Sequence, residues 1–119
     1  ERASEPSWKS SNGLRYVITH VVLCRLKENV PPYKIEQLIK EIDGLRQHIP
    51  GFLSLESGEN LKLEPHHHGF SVGFVARFTN RQSLSDYQNH PEHRETGRLL
   101  VDYCEDGFNG LLVFDYENA

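Results

Sequence analysis

The chain has 119 residues, the size of one ordinary domain, and its 17 acidic residues outnumber its 13 basic ones to give a net charge of −4. With no basic stripe to neutralise a phosphate backbone, the composition argues against a nucleic-acid partner. No apolar run approaches the roughly 20 residues of a membrane span, so no membrane partner is expected either. We therefore expect one soluble, cytoplasmic domain.

The N-terminal residues differ in composition from the rest of the chain. Residues 1–13 are rich in Ser, with Glu, Lys and Pro, and predict a flexible tail ahead of a folded domain at residues 14–119. Trp8, the only tryptophan, could pin that tail to the domain. The tail lacks the apolar stretch of a signal peptide. Cys24 and Cys104 each lie beside apolar residues, and we expect two buried free thiols rather than a disulfide.

The first half of the domain predicts a strand, a helix and a strand. Residues 15–26 are dense in β-branched and apolar side chains without Gly or Pro, which indicates a strand that is apolar on both faces. Pro31 and Pro32 then open an amphipathic helix that extends to Ile49, with apolar residues at i, i+3, i+4 and i+7 spacing. Residues 52–58 follow as a second strand.

The second half predicts a strand, a broken helix and a strand. Residues 69–78 alternate apolar side chains on one face, which indicates a third strand. Asn80 is a plausible N-cap for a helix that Pro91 interrupts. Helical periodicity resumes over residues 92–104, and residues 111–116 complete the series with a last strand.

The element order is therefore β-α-β-β-α-β, the ferredoxin-like arrangement of an α+β domain. In such a domain the helices cover one face of an antiparallel sheet. Here the first and third strands are apolar on both faces, which would leave an apolar patch in water. Two copies meeting sheet to sheet would cover it, so the pattern predicts a homodimer.

Four stretches resemble the stress-responsive dimeric α/β-barrel family. They are THVVLCRLKENVPPYKIEQL, IPGFLSLESGENL, GFSVGFVARF, and DYQNHPEHRETGRLLVDY leading to LLVFDY. The most specific mark is the HPxH element at residues 90–93. The resemblance implies a homodimer whose sheets close into a dimeric α/β barrel.

The resemblance also implies a set of working residues. The family includes plant stress-induced and antimicrobial proteins, and a polyketide cyclase that closes a linear poly-β-keto chain without cofactor or metal. That cyclase uses a tyrosine before the HPxH element, the second histidine within it, and a carboxylate in the last strand that orients this histidine. The corresponding catalytic residues here are Tyr87, His93 and Asp115. Judged without the resemblance, the histidines cap a broken helix and Tyr87 is ordinary packing.

A substrate pocket is expected beside these residues. The family counterpart of His20 faces the pocket, although a lone strand histidine is as often a satisfied core residue. We expect Phe70, Phe74 and His90 to line the same pocket. The cyclase has a further pocket histidine where this sequence has Val72, so substrate shape or helper chemistry must differ.

These residue types suit acid–base chemistry at a carbonyl. A neutral imidazole is a suitable base for a carbon acid, and a phenol can hydrogen-bond the oxygen of the enolate that forms. We therefore expect a cofactor-free lyase, cyclase or isomerase that acts on a small hydrophobic carbonyl compound such as a polyketide. The alternative is a non-catalytic dimeric stress-response protein that binds an apolar ligand.

Three adjacent histidines at residues 66–68 raise the question of a metal site. Neighbouring residues cannot easily place three imidazoles around one ion, and no further ligand has a standard spacing nearby. We expect solvated side chains or a pocket rim there, and no metal site.

Overall fold

The computed structural model describes residues 17–118, so the predicted tail and Trp8 lie outside the described residues. The elements are β1 Ile18–Cys24, α1 Pro32–Gly44, β2 Phe52–Glu59, β3 Val72–Phe78, α2 Arg81–Asn89, α3 Pro91–Tyr103 and β4 Leu111–Glu117. They form one antiparallel sheet in the order β2-β3-β1-β4, with the helices packed on one face. The predicted ferredoxin-like α+β fold is confirmed. Within residues 17–118 no helix has both the length and the apolar character needed to cross a bilayer.

Strand β1 lies in the middle of the sheet and sets the two faces. It pairs with β3 on one side and with β4 on the other, so that His20 is opposite both Ala76 and Asp115. Its residues at even positions, from Ile18 to Cys24, point towards the helices and are buried. This helix-covered face holds the core.

Helix α1 is shorter than its apolar periodicity predicts. It buries Ile35, Leu38 and Ile42, but the α-helical hydrogen bonding ends at Gly44 rather than at Ile49. A 3₁₀ turn over Leu45–Gln47 continues the chain, and Leu45 and Ile49 are still buried in the core. The apolar spacing therefore predicts correctly which residues are buried, although the backbone changes from an α-helix to a tighter 3₁₀ turn before the spacing ends.

The break between α2 and α3 places the HPxH element. Asn80 caps α2 as predicted, because its side-chain oxygen accepts a hydrogen bond from the Ser83 backbone N–H at 2.8 Å. Pro91 is the first residue of α3, and His90 before it is extended, with φ −67° and ψ 135°. The His90 ring accepts a hydrogen bond from the Glu92 N–H at 3.1 Å. Proline disfavours a helical conformation in the residue before it, so the chain changes direction here.

Both cysteines are in the core. Cys24 and Cys104 are buried and free, which confirms that prediction.

The opposite side of the sheet carries an apolar patch that none of the described helices covers. We call it the open face; its residues are Val21, Leu23, Val75, Leu112, Phe114 and Tyr116. The three β4 side chains are between 41 % and 57 % exposed. Strand β3 adds only Val75 between Gly73 and Arg77, so β4 supplies the second apolar strand that the sequence analysis assigned to β3.

Candidate functional site

A cavity of about 620 Å³ lies between α3 and the helix-covered face of β1 and β4. Most of its wall is apolar: Val22, Phe74, Leu100, Val101, Phe108, Leu111 and Val113. Its polar groups are His20, Gln88, His93, Arg94, Arg98 and Asp102. An apolar cavity with a few convergent polar groups is the usual form of a small-molecule site.

His20 is held on the cavity wall by a carboxylate. Its Nδ1 lies 2.5 Å from Asp115 Oδ1, and the two residues face each other across the β1–β4 pairing. The imidazole is buried, while the Asp115 side chain is 37 % exposed. Because a carboxylate accepts, Nδ1–H donates, which leaves Nε2 available on the other side of the ring.

His93 is held by a neutral acceptor instead. Its Nδ1 lies 3.2 Å from the carbonyl oxygen of Gln88, so Nδ1–H donates and Nε2 carries the free lone pair. Burial is the largest effect on its pKa and lowers it from the usual 6.5, against the opposing Gln88 hydrogen bond. The nearby His20 and His90 lower it further. The ring is therefore neutral at pH 7, the state that a general base requires.

The Tyr87 ring packs against both histidines, and Tyr87 itself does not line the cavity. Its ring centroid is 4.2 Å from that of His93 and 5.7 Å from that of His20, and the residue is fully buried. Burial, and then the negative charge of Asp115, raises the pKa of this phenol, so it stays protonated. Its hydroxyl is a buried polar group without a hydrogen-bond partner in residues 17–118.

The contact predicted between Asp115 and His93 is not formed. Asp115 is the third residue from the end of β4 and His20 is the third residue of β1, so antiparallel pairing with aligned ends sets them opposite each other. His93 projects from α3 and bonds to the Gln88 backbone. The orienting carboxylate therefore acts on the strand histidine in this structure.

The predicted lining residues divide between different places. His20 and Phe74 line the cavity, whereas Phe70 and Val72 line a separate cavity of about 580 Å³ that also includes residues 66–68. His90 caps α3 and stacks on His48 with 6.5 Å between ring centroids. Among residues 17–118, no three His, Cys, Asp or Glu side chains come together in a way that could hold a metal ion.

The sequence analysis missed several residues of the cavity. Arg94 and Gly97 line it from α3, Phe108 from the turn after α3, and Val113 from β4. Residues 93, 97 and 101 follow each other at i+4 spacing, so they lie along one side of α3. From His93, that spacing predicts that Gly97 lies on the same side of the helix.

Comparison with known proteins shows what the chain is similar to. The family model described as the stress responsive A/B barrel domain matches residues 18–118. The stress-response A/B barrel domain-containing protein HS1 of Arabidopsis thaliana is 29 % identical over 100 residues, which are 84 % of this chain and 88 % of that protein.

Solved structures share the fold. A dimeric ferredoxin-like protein of unknown function from Jannaschia sp. CCS1 is 29 % identical with a TM-score of 0.78, over 84 % of this chain and 97 % of that one. The hydroxynitrile lyase from Passiflora edulis is 20 % identical with a TM-score of 0.70, over 85 % and 92 % of the two chains, and at that identity the likeness is one of fold alone.

Proposed function

Because the chain belongs to the stress-responsive A/B barrel domain family, we propose that it is a cofactor-free acid–base catalyst for a hydrophobic carbonyl compound. The reaction is of lyase, cyclase or isomerase type. One observation carries the proposal: the imidazoles of His20 and His93, with different hydrogen-bond partners, share one apolar cavity.

The two imidazoles suit two different steps. His93 is neutral, and its Nε2 takes the proton from the carbon next to the carbonyl, whose electrons move to oxygen as an enolate. His20 has the Asp115 carboxylate behind it, which balances positive charge on the ring, so the imidazolium form of His20 donates its Nε2–H to the oxygen and leaves an enol and a neutral ring. The His93 imidazolium then returns its proton to carbon and the enol oxygen returns its proton to His20, so both rings end as they began and no cofactor is consumed.

Tyr87 packs against both histidines without lining the cavity, and we propose that it supports catalysis from that position. Its hydroxyl has no partner among the described residues, and a buried donor of that kind is unfavourable until something accepts from it. We propose that an oxyanion formed between the histidines, or a water beside it, is that acceptor.

The working form is proposed to be a homodimer joined through the open face. The exposed apolar β4 side chains support this assembly, since monomeric proteins rarely leave such a patch in water. The Jannaschia relative is described as dimeric.

Proton exchange at carbon tests the proposal without knowledge of the natural substrate. The probe is 4-phenyl-2-butanone in deuterium oxide, and the measurement is the loss of its α-proton signal in NMR spectra. We expect exchange faster than in imidazole buffer at equal concentration, with most of the gain lost in His93→Ala. Exchange no faster than in the buffer, or unchanged in His93→Ala, would falsify the proposal.

The alternative function is a ligand-binding protein without catalysis. Its specific support is the position of Tyr87, which packs against Phe52 and Phe78 in the core and does not line the cavity. Saturable binding of the same ketone with no proton exchange would establish this alternative.

A further inference from the structure

Helix α3 contains a glycine where its backbone does not require one. Gly97 lies in the middle of the helix and lines the cavity, and it is not in a left-handed conformation. A Cβ added there would meet no atom within 4 Å. Glycine destabilises a helix interior relative to alanine, so the missing side chain has a cost without a local benefit. Its effect is to leave open space directly over the helix backbone.

The same edge of the cavity carries a cation that has no partner among the described residues. Arg94 lines the cavity three residues before Gly97, and its guanidinium makes no hydrogen bond or ion pair with any of residues 17–118. Arg98, one turn later, is different: it lies 2.6 Å from Glu95 and 3.3 Å from Asp102. The unneutralised charge at this wall is therefore that of Arg94.

The order of these residues along α3 gives the cavity a direction. Arg94 follows His93 immediately, so the free cation and the neutral base are at the same end. Gly97 and Val101 continue from His93 at i+4 spacing, and the wall opposite them is apolar. A ligand lying along the helix would therefore meet polar groups at one end and, beyond them, an open apolar trough over Gly97 and Val101.

We propose that the cavity takes an amphipathic oxo acid, with its carboxylate on Arg94, its carbonyl between His93 and His20, and its hydrocarbon body over Gly97. Arginine is well suited to this role because its guanidinium can bind a carboxylate through two parallel hydrogen bonds. The assignment names the substrate class of the proposed catalytic site and rests on that proposed function.

Two aromatic probes of one shape test the charge preference. They are 2-naphthoate and 2-naphthamide, titrated into the full-length protein with binding followed by probe fluorescence. We expect the anion to bind about tenfold more tightly than the amide, as for a charge-assisted hydrogen bond. Arg94→Gln should remove the preference. Arg81→Gln is the matched control, because Arg81 is exposed on α2 and does not line the cavity.

A glycine pair tests the open space. Gly97→Leu should weaken both probes about tenfold or more by occupying the trough. Gly44→Leu, at the exposed end of α1 and equally free of neighbours within 4 Å, should change neither affinity. Circular dichroism checks that every variant is folded.

The outcomes separate this assignment from the catalytic one. Equal affinity for the two probes, a preference that survives Arg94→Gln, or no binding of either probe would overturn the ligand class. A charge preference lost in Arg94→Gln supports a carboxylate site at Arg94 even if no proton exchange is ever observed, because the readout is binding. If proton exchange occurs but the two probes bind equally well, the proposed catalytic function stands and the oxo acid is rejected as its substrate class.

Discussion

His20 and Asp115 are joined by strand register, with Nδ1 and Oδ1 2.5 Å apart across the β1–β4 pairing. His93, on the other side of the cavity, is held by the Gln88 carbonyl at 3.2 Å. A carboxylate compensates a positive imidazolium, whereas a carbonyl bears no charge that could do so. The two histidines are thus prepared for opposite roles, one to carry a proton and one to accept it.

The pH dependence of catalysis should report His93. Only the neutral ring acts as a base, so kcat/KM rises as the pH increases through the pKa of this group. Because burial lowers the pKa of His93, the midpoint of the rise should lie below the ordinary histidine value of 6.5. His93→Ala should lose this limb and about 10²–10⁴-fold in rate, as measured by initial rates of α-proton exchange.

His90→Ala is the control for that experiment. It removes the neighbouring ring that caps α3 but does not line the cavity. Turnover should stay within a few-fold of wild type and keep its acid limb. The assignment of the base fails if His93→Ala retains the limb, and His20 then becomes the residue to test.

Asp115 should act through His20 and not through His93. Asp115→Asn removes the charge behind the strand histidine, so it should slow turnover, and combining it with His20→Ala should be little worse than His20→Ala alone. Combined with His93→Ala, its effect should be closer to additive, since His93 is bonded to Gln88 instead. Rates of the two double-mutant cycles decide the matter. Non-additivity only in the His93 cycle would show that the carboxylate moves to His93 during catalysis.

The fold could be predicted because its signals are local. Strand and helix periodicity, the Asn80 cap and the Pro91 break each depend on residues close in sequence, and each places an element correctly. The end of α1 could not be predicted in the same way, because Leu45 and Ile49 keep the apolar spacing after the backbone changes to a 3₁₀ turn.

The site was harder to predict because it depends on register and on empty space. The sequence indicates that Asp115 lies in the last strand, but only the β1–β4 pairing decides that it meets His20. Likewise residues 111–114 of β4 are apolar on both faces of the strand, so the sequence alone does not show which of these side chains form the open face. Gly97 is an ordinary glycine in sequence and becomes informative only beside a cavity.

Tyr87→Phe should separate stability from function. The substitution keeps the ring packing and removes a buried hydroxyl that has no partner among residues 17–118. In the ligand-free protein this should leave the free energy of unfolding unchanged or raise it by about 1 kcal/mol, measured by urea titration. Turnover should fall if the hydroxyl donates to the oxyanion. A loss of several kcal/mol in stability would instead indicate that the hydroxyl is satisfied in solution.

A charge on the open face should dissociate the dimer without unfolding the subunit. Phe114→Lys places an ammonium on the β4 side of that face, between Leu112 and Tyr116, where Phe114 is 57 % exposed and outside the core. Burying it in an interface leaves a charge unpaired, so the dimer dissociation constant should rise about a hundredfold, equivalent to about 2.7 kcal/mol.

Val21→Lys should act in the same direction, because Val21 and Phe114 are paired across β1 and β4 on the open face. Phe74→Lys should differ, since Phe74 is 6 % exposed on the helix-covered face and its replacement should unfold the domain. Tyr33→Lys, on α1 with a 62 % exposed residue, is the matched surface control and should change neither mass nor stability.

Sedimentation velocity at micromolar protein measures the mass, and circular dichroism measures the folding. A wild-type protein that sediments as a monomer would contradict the assembly, and a Phe114→Lys variant that remains dimeric would move the interface to another surface.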